Sequence, residues 1–218
     1  FSLAVPRKVQ GIPRGPSYIY NLVVARFLKP MYASLSDYIS ATFRGRVFLD
    51  VGCGTASLII SILGKVRAYA IGLDISKAMI EIAARNIQKH KVKEHVDLVV
   101  GDAHKLPFRS NSLGLIVSTG TLHHLRNIEE FFRECRRTLR EEGKAVICEL
   151  SHDIKPEELR EQSRKWRRPR RILKLAALMH GIPRTEYEAG FVKEALEKSV
   201  RSYKVVFEGI VTVLKVRK

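Results

Sequence analysis

Three aspartates and a pair of glycines are the residues of this chain best placed to do chemistry. The run Val47-Phe48-Leu49-Asp50-Val51 passes straight into Gly52-Cys53-Gly54-Thr55. An apolar, β-branched run ending in an acid and two close glycines reads as a buried parallel strand that turns tightly against a ligand. Glycine suits such a turn because it accepts positive φ and leaves no Cβ between backbone and ligand. A second acid, Asp74, closes the run Ala68-Tyr69-Ala70-Ile71-Gly72-Leu73, with Ile75 next to it, 20 positions beyond Gly54. That spacing fits one βαβ step, with the carboxylate accepting from ribose hydroxyls. Asp102, followed by Ala103, ends a third run, and Ser118-Thr119 ends a fourth.

Two kinds of cofactor suit a glycine turn followed by a ribose-binding acid. A dinucleotide calls for a third glycine and a helix N-terminus facing pyrophosphate; here Ala56 and Ser57 follow instead. Asp50, just before the glycines, would repel a pyrophosphate but suits a cationic amino group. S-adenosylmethionine carries an ammonium and a sulfonium and no phosphate.

Leu49-Asp50-Val51-Gly52-Cys53-Gly54-Thr55, Gly72-Leu73-Asp74-Ile75-Ser76, Gly101-Asp102-Ala103 with Leu106-Pro107-Phe108, and Ile116-Val117-Ser118-Thr119 with Leu122-His123-His124-Leu125 occur in this order. Together they resemble the motif series of class I S-adenosylmethionine-dependent methyltransferases, in the branch of ubiquinone and menaquinone biosynthesis. The resemblance covers roughly residues 45–150. It implies that Asp50, Gly52 and Gly54 hold the methionine end, with Cys53 and Thr55 also binding the cofactor. It also implies that Asp74 and Ile75 serve the ribose, that Asp102 and Ala103 bracket the adenine, and that Ser118 and Thr119 lie beside the cofactor. The chain departs from the family at Ala56, where a third glycine is usual, and at Arg109 and Gly114, where acids are frequent.

Methyl transfer from a sulfonium is an in-line displacement, so the acceptor must be aligned, kept from water and, in some cases, deprotonated. His123 and His124 follow the fourth strand and are the catalytic candidates, either as proton acceptor or as hydrogen-bond partner of the substrate. The other reading makes the pair a packing feature of the branch. The cysteines, Cys53, Cys135 and Cys148, form no metal or disulfide pattern. They suit a reducing cytoplasm, and no metal site is expected. None stands beside a proline as the nucleophile of cytosine C5 methylation would. The Asn/Asp-Pro-Pro-aromatic motif of many amine methyltransferases is replaced by Ser118-Thr119-Gly120-Thr121.

The formal charge is +17 and is unevenly spread. Residues 1–44 carry six Lys/Arg against one acid, residues 45–150 carry sixteen against twelve, and residues 151–218 carry seventeen against nine. The densest stretch holds Arg164, Lys165, Arg167, Arg168, Arg170 and Arg171 around Trp166. A solvated helix would balance these cations with acids. A phosphate-binding surface would not, and Arg forks suit phosphate oxygens. Trp166 either stacks on a base or covers core. The apolar continuation Ile172 to Met179 also admits a membrane-surface helix. The charge favours structured RNA, ribosomal or transfer, as acceptor, contacted by this stretch together with Arg7, Lys8 and Arg14. The motif resemblance by itself favours a quinone, lipid or metabolite. A non-catalytic S-adenosylmethionine- or RNA-binding module is the third reading.

Strands alternating with helices predict a mostly parallel sheet covered on both faces, and the resemblance supplies the strand order 3-2-1-4-5-7-6. The predicted strands are 46–51, 67–73, 95–100, 113–118, 143–150, 203–208 and 210–217, the last two an antiparallel hairpin. Helices are predicted over 18–41, 56–64, 76–90, 127–140 and 185–199, with breaks at Pro169 and Gly181-Ile182-Pro183 in the basic segment. The expected organisation is an N-terminal helical or lid segment (1–44), whose Tyr18, Tyr20 and Tyr32 either line a lid over the cofactor or pack as core aromatics, a cofactor-binding core (45–150), a basic substrate-binding insertion (151–200) and a hairpin (201–218) completing the same domain. No apolar run approaches the length of a membrane span and no signal peptide is expected, which suits the cytoplasm. Scarce Asn and Gln with abundant charge suit a heat-adapted protein.

Overall fold

A computed structural model describes residues 28–218. The elements in chain order are α1 (Lys29–Thr42), β1 (Val47–Val51), α2 (Ser57–Leu63), β2 (Tyr69–Asp74), α3 (Lys77–Lys89), β3 (Val96–Val100) and β4 (Leu113–Thr119). After them come a 3-10 turn (Leu122–His124), α4 (Ile128–Thr138), β5 (Leu139–Leu150), α5 (Pro156–Trp166), α6 (Arg170–His180), α7 (Arg184–Glu188), α8 (Phe191–Ser199), β6 (Ser202–Glu208) and β7 (Val211–Arg217). The seven strands form one sheet in the order β3-β2-β1-β4-β5-β7-β6. β1 to β5 pair in parallel, and β7 runs antiparallel to both β5 and β6. This is the expected class I methyltransferase sheet with its C-terminal hairpin.

Strand period 2 divides the core into two layers. Phe48, Leu115, Val117, Val146 and Cys148 face one layer with Ile59 and Ile62 of α2. Leu49, Val51, Ile116, Ala145 and Ile147 face the other with Phe131 and Phe132 of α4. α4 shows why these helices form. Ile128, Phe131, Phe132 and Cys135 lie on one buried stripe, Asn127 caps the N-terminus by accepting from Glu130 N at 3.1 Å, and Arg136 and Arg137 end the helix against its dipole.

The largest departures from the expected elements are at the start of β5 and in the helix over 185–199. β5 begins at Leu139 rather than 143 because Leu113 pairs with Leu139 across an irregular step in the β4 register. Arg140-Glu141-Glu142-Gly143 is polar enough to read as a turn, yet Gly143 is buried, and a Cβ there would lie 2.8 Å from Arg140 O. The expected helix over 185–199 is two helices. Gly190 breaks it, and Glu186 accepts from Phe191 N at 2.9 Å to start α8. Only part of the helix expected over 18–41 falls within the described residues. There α1 begins at Lys29 with Pro30 in its first turn, where a missing N–H costs nothing. The basic segment breaks where predicted, at Pro169 and Gly181, and the hairpin turns at Gly209-Ile210 with Gly209 at φ +57°.

Candidate active site

The C-terminal edge of the parallel strands gathers the predicted acids. Gly52 N and Cys53 N donate to Leu73 O at 2.7 and 3.0 Å, folding the glycine turn over the end of β2. Asp74 then accepts from Gly54 N through Oδ2 at 2.9 Å and from Ser76 N through Oδ1 at 2.8 Å. Burial raises its pKa, partly offset by those two backbone donors. Asp50, 1% exposed, has an Oδ1 atom with no hydrogen-bond partner among the described residues. Burial, and after it the charge of Asp74, pushes the Asp50 carboxyl well above its ordinary range. A buried carboxylate left without a donor is costly, and an ammonium at this point would satisfy it.

The two turn glycines do different work. Gly52 has φ +70°, and a Cβ there would lie 2.1 Å from Thr121 Oγ1, so its bareness admits the β4 turn. Gly54 has φ +51° with nothing within 4 Å of its missing Cβ, and Gly120 at φ +60° is equally open. These two face space that a ligand can fill. Ala56, which replaces the family's third glycine, holds the left-handed conformation all the same (φ 60°, ψ 20°) as N-cap of α2. The unpartnered Asp50 oxygen, the open glycines and Asp74 beside them fit S-adenosylmethionine.

Several predicted residues act through structure. Cys53 is buried, and burial followed by the charges of Asp50 and Asp74 pushes its thiol up. Its sulfur would lie 2.9 Å from a Cβ at Gly72, so only its backbone faces the turn. Thr55 is buried with its hydroxyl on Ser57 Oγ at 2.8 Å. Ser118 is 1% exposed and donates to Val51 O at 2.7 Å, tying β4 to β1; Thr119 ends β4. Ile75 is 39% exposed beside Asp74, and Ala103 is buried. Asp102 Oδ1 accepts from His104 N at 2.9 Å and sits 2.6 Å from His104 Nδ1. Burial raises the Asp102 pKa, but the His104 bonds and the charge of Arg126 outweigh it and leave it lowered.

The histidines belong to a cluster assembled from three segments. His123 Nδ1 lies 2.8 Å from Glu149 Oε2, and the other oxygen of Glu149 accepts from Thr121 N at 2.8 Å and Leu122 N at 2.7 Å. Glu149 is 1% exposed. With Nδ1–H donated to a fixed carboxylate, the basic lone pair of His123 falls on Nε2. His180, the last residue of α6, brings its ring to 5.5 Å from His123 and 6.2 Å from His124, whose own rings are 3.9 Å apart. Burial, then the neighbouring His123, lowers the His180 pKa, with Glu149 opposing. Gly181 makes this placement work. Ile182 N donates to Leu150 O at 2.9 Å, and a Cβ at Gly181 would lie 2.3 Å from Ala177 O. His123 and His180 line a narrow cavity with Leu28, Met31, Gly120, Leu150 and Ala176. Glu149 and His180 carry no sequence signal: one is buried inside β5, the other lies far along the chain from His123 with no motif around it. No metal was expected, yet one nitrogen from each of His123, His124 and His180 lies within 4.8 Å of the others.

The basic stretch is mostly exposed, with one correction. Arg164, Lys165, Arg167, Arg170 and Arg171 lie on or near the surface and Arg168 is half-buried, but Trp166 is 5% exposed. Its indole packs in the core and lines a second cavity with Met31, Leu35 and Val213. It covers core and offers no surface to a base. Tyr32 is likewise buried. The expected contacts of Arg7, Lys8, Arg14, Tyr18 and Tyr20 lie outside the described residues.

Residues 49–147 match the family described as "Methyltransferase domain". A demethylmenaquinone methyltransferase of Thermotoga maritima is 34% identical over 103 residues, 47% of this chain and 42% of that protein. One from Lactobacillus johnsonii is 29% identical over 114 residues, 51% of this chain and 47% of that protein. The matched region thus spans less than half the length of these relatives. A solved structure from Methanococcus maripaludis, described as an S-adenosylmethionine-dependent methyltransferase, superposes with a TM-score of 0.77 at 22% identity, covering 98% of this chain and 97% of that one. Residues 49–147 are thus a methyltransferase domain with four motifs in register on the class I S-adenosylmethionine-dependent methyltransferase fold, and the domain is similar to the quinone-biosynthesis branch.

Proposed function

We propose that the chain methylates a small, largely apolar acceptor that carries an ionisable hydroxyl, as a hydroquinone does. The observation that carries this reading is the His123–Glu149 pair beside a narrow cavity that His180 and Gly120 also line, with Leu28, Met31, Leu150 and Ala176 as its apolar walls. Bound S-adenosylmethionine supplies a methyl group on a sulfonium. His123 Nε2 takes the acceptor's hydroxyl proton, and the Glu149 carboxylate stabilises the imidazolium so formed. Thr121 N and Leu122 N hold Glu149 in place, so the base is oriented before the acceptor arrives. The apolar walls exclude water from the transfer.

RNA is supported less well. Its case rests on the basic stretch and on Trp166 as a stacking platform, and the indole is in the core. The curated relatives are named for demethylmenaquinone, and the side chains around His123 are mostly apolar. The test is to supply S-adenosylmethionine labelled in its methyl group with either a reduced quinone lacking one methyl or structured RNA. Label in the quinone, absent in His123→Ala, supports the reading; label in RNA alone refutes it.

A further inference from the structure

We propose that α6 and the basic run before it form a docking surface for an anionic lipid bilayer, so that the acceptor is drawn from the membrane. This rests on the reading of a small apolar acceptor and deepens it. α6 has two apolar sides. Leu173 and Ala177 are buried in the core, and Ala176 and His180 line the histidine cavity. Outward, Ile172, Leu175, Leu178 and Met179 are 48%, 57%, 56% and 65% exposed. Eight large apolar side chains are exposed among the described residues, and these four share one helix. Their spacing of three and four residues places them on one stripe.

The charge around the stripe selects its occupant. Residues 162–185 contain eight Lys or Arg and no acid. Arg164, Lys165, Arg167, Arg170, Arg171 and Lys174 are exposed, and all of them precede α6 or lie in its first half, while most of the apolar stripe occupies its second half. Cations beside a projecting Leu/Met stripe match a surface of anionic headgroups above acyl chains. RNA would engage the cations and leave the stripe in water. No described helix is long and apolar enough to cross a membrane, so the contact lies at the bilayer surface. The helix that meets lipid with one side thus walls the methyl-transfer cavity with the other.

Vesicle flotation tests this. The probe is phosphatidylcholine vesicles with and without phosphatidylglycerol, at low and high salt. Two variants are compared with the parent: Arg164, Arg167, Arg170 and Arg171 changed to Gln, and Leu175, Leu178 and Met179 changed to Gln. None of the seven residues is buried, and S-adenosylmethionine calorimetry checks that each variant is folded. The parent should float with anionic vesicles. The arginine variant should bind more than ~100-fold more weakly, at about five-fold per cation. The apolar variant should lose ~10-fold or more and all salt-resistant binding. The proposal is overturned if the apolar variant binds like the parent, if the parent ignores vesicles while binding RNA, or if the stripe pairs two copies of the chain instead. Quinone methylation in detergent without vesicle binding would sink the docking and spare the proposed function. Vesicle binding without quinone methylation would do the reverse.

Discussion

The cofactor side and the acceptor side of this sheet edge are built by different rules. On the cofactor side, Asp50, Asp74 and Asp102 each stand at or just past the end of a strand, and their positions follow from the strand before them. Hydrogen bonds there span neighbouring turns, as from Gly54 N to Asp74. On the proposed acceptor side, His123 comes from the turn after β4, Glu149 from the penultimate position of β5 and His180 from the far end of α6. His123 and Glu149 meet because β4 pairs with β5, and His180 joins them because Gly181 lets α6 close on Leu150. One half is a repeated local motif, the other a tertiary assembly, and each can be damaged without the other.

The largest effect tests whether Trp166 serves packing or recognition. Trp166→Ala should cost about 3–5 kcal/mol of stability, read by denaturant unfolding. Trp166→Phe should recover most of that stability. If Trp166→Phe instead weakened RNA binding with stability intact, the indole would have to be a recognition surface.

The two turn glycines sharpen the division further. Gly52→Ala combines left-handed backbone with a clash against Thr121 and should destabilise by about 2 kcal/mol or more. Gly54→Ala carries only the backbone cost of about 1–2 kcal/mol, but places a methyl in the ligand's space and should weaken S-adenosylmethionine in calorimetry. Equal effects on stability and affinity in both would merge the two roles.

The smallest effect concerns Asp50. Its folded pKa is raised, so the folded state binds more protons than the unfolded state above the ordinary carboxylate pKa. Stability therefore falls as pH rises from about 4 through the folded pKa, and the full penalty stands above it. Asp50→Asn should be more stable than the parent at neutral pH by about 1 kcal/mol or more, with the gap closing below about pH 4. The same variant should bind S-adenosylmethionine more weakly. A parent as stable as the variant at neutral pH would show that Asp50 is satisfied without a ligand.

The same division explains what is legible in the sequence. The sheet order, the hairpin and the three acids can be read because strand ends, glycine turns and one βαβ step leave their signals within a short window of chain. Glu149 cannot, since an acid near the end of an apolar strand looks like a strand terminus rather than a buried acceptor of hydrogen bonds from Thr121, Leu122 and His123. His180 cannot, because its role depends on where a helix distant in sequence from His123 is folded back. Trp166 among arginines reads as a nucleic-acid contact because composition places it on the surface, whereas helix phase turns it inward.

The most direct test crosses the two halves in one experiment: S-adenosylmethionine affinity by calorimetry and single-turnover transfer to a reduced quinone, for Asp74→Ala and His123→Ala. Asp74→Ala should lose about 1.5–3 kcal/mol of cofactor affinity for each ribose hydrogen bond removed. His123→Ala should keep its cofactor affinity and lose roughly 10²–10⁴ in transfer rate. Cofactor affinity that falls equally in both variants, or a His123→Ala enzyme that transfers at the parent rate, would overturn the division into two halves.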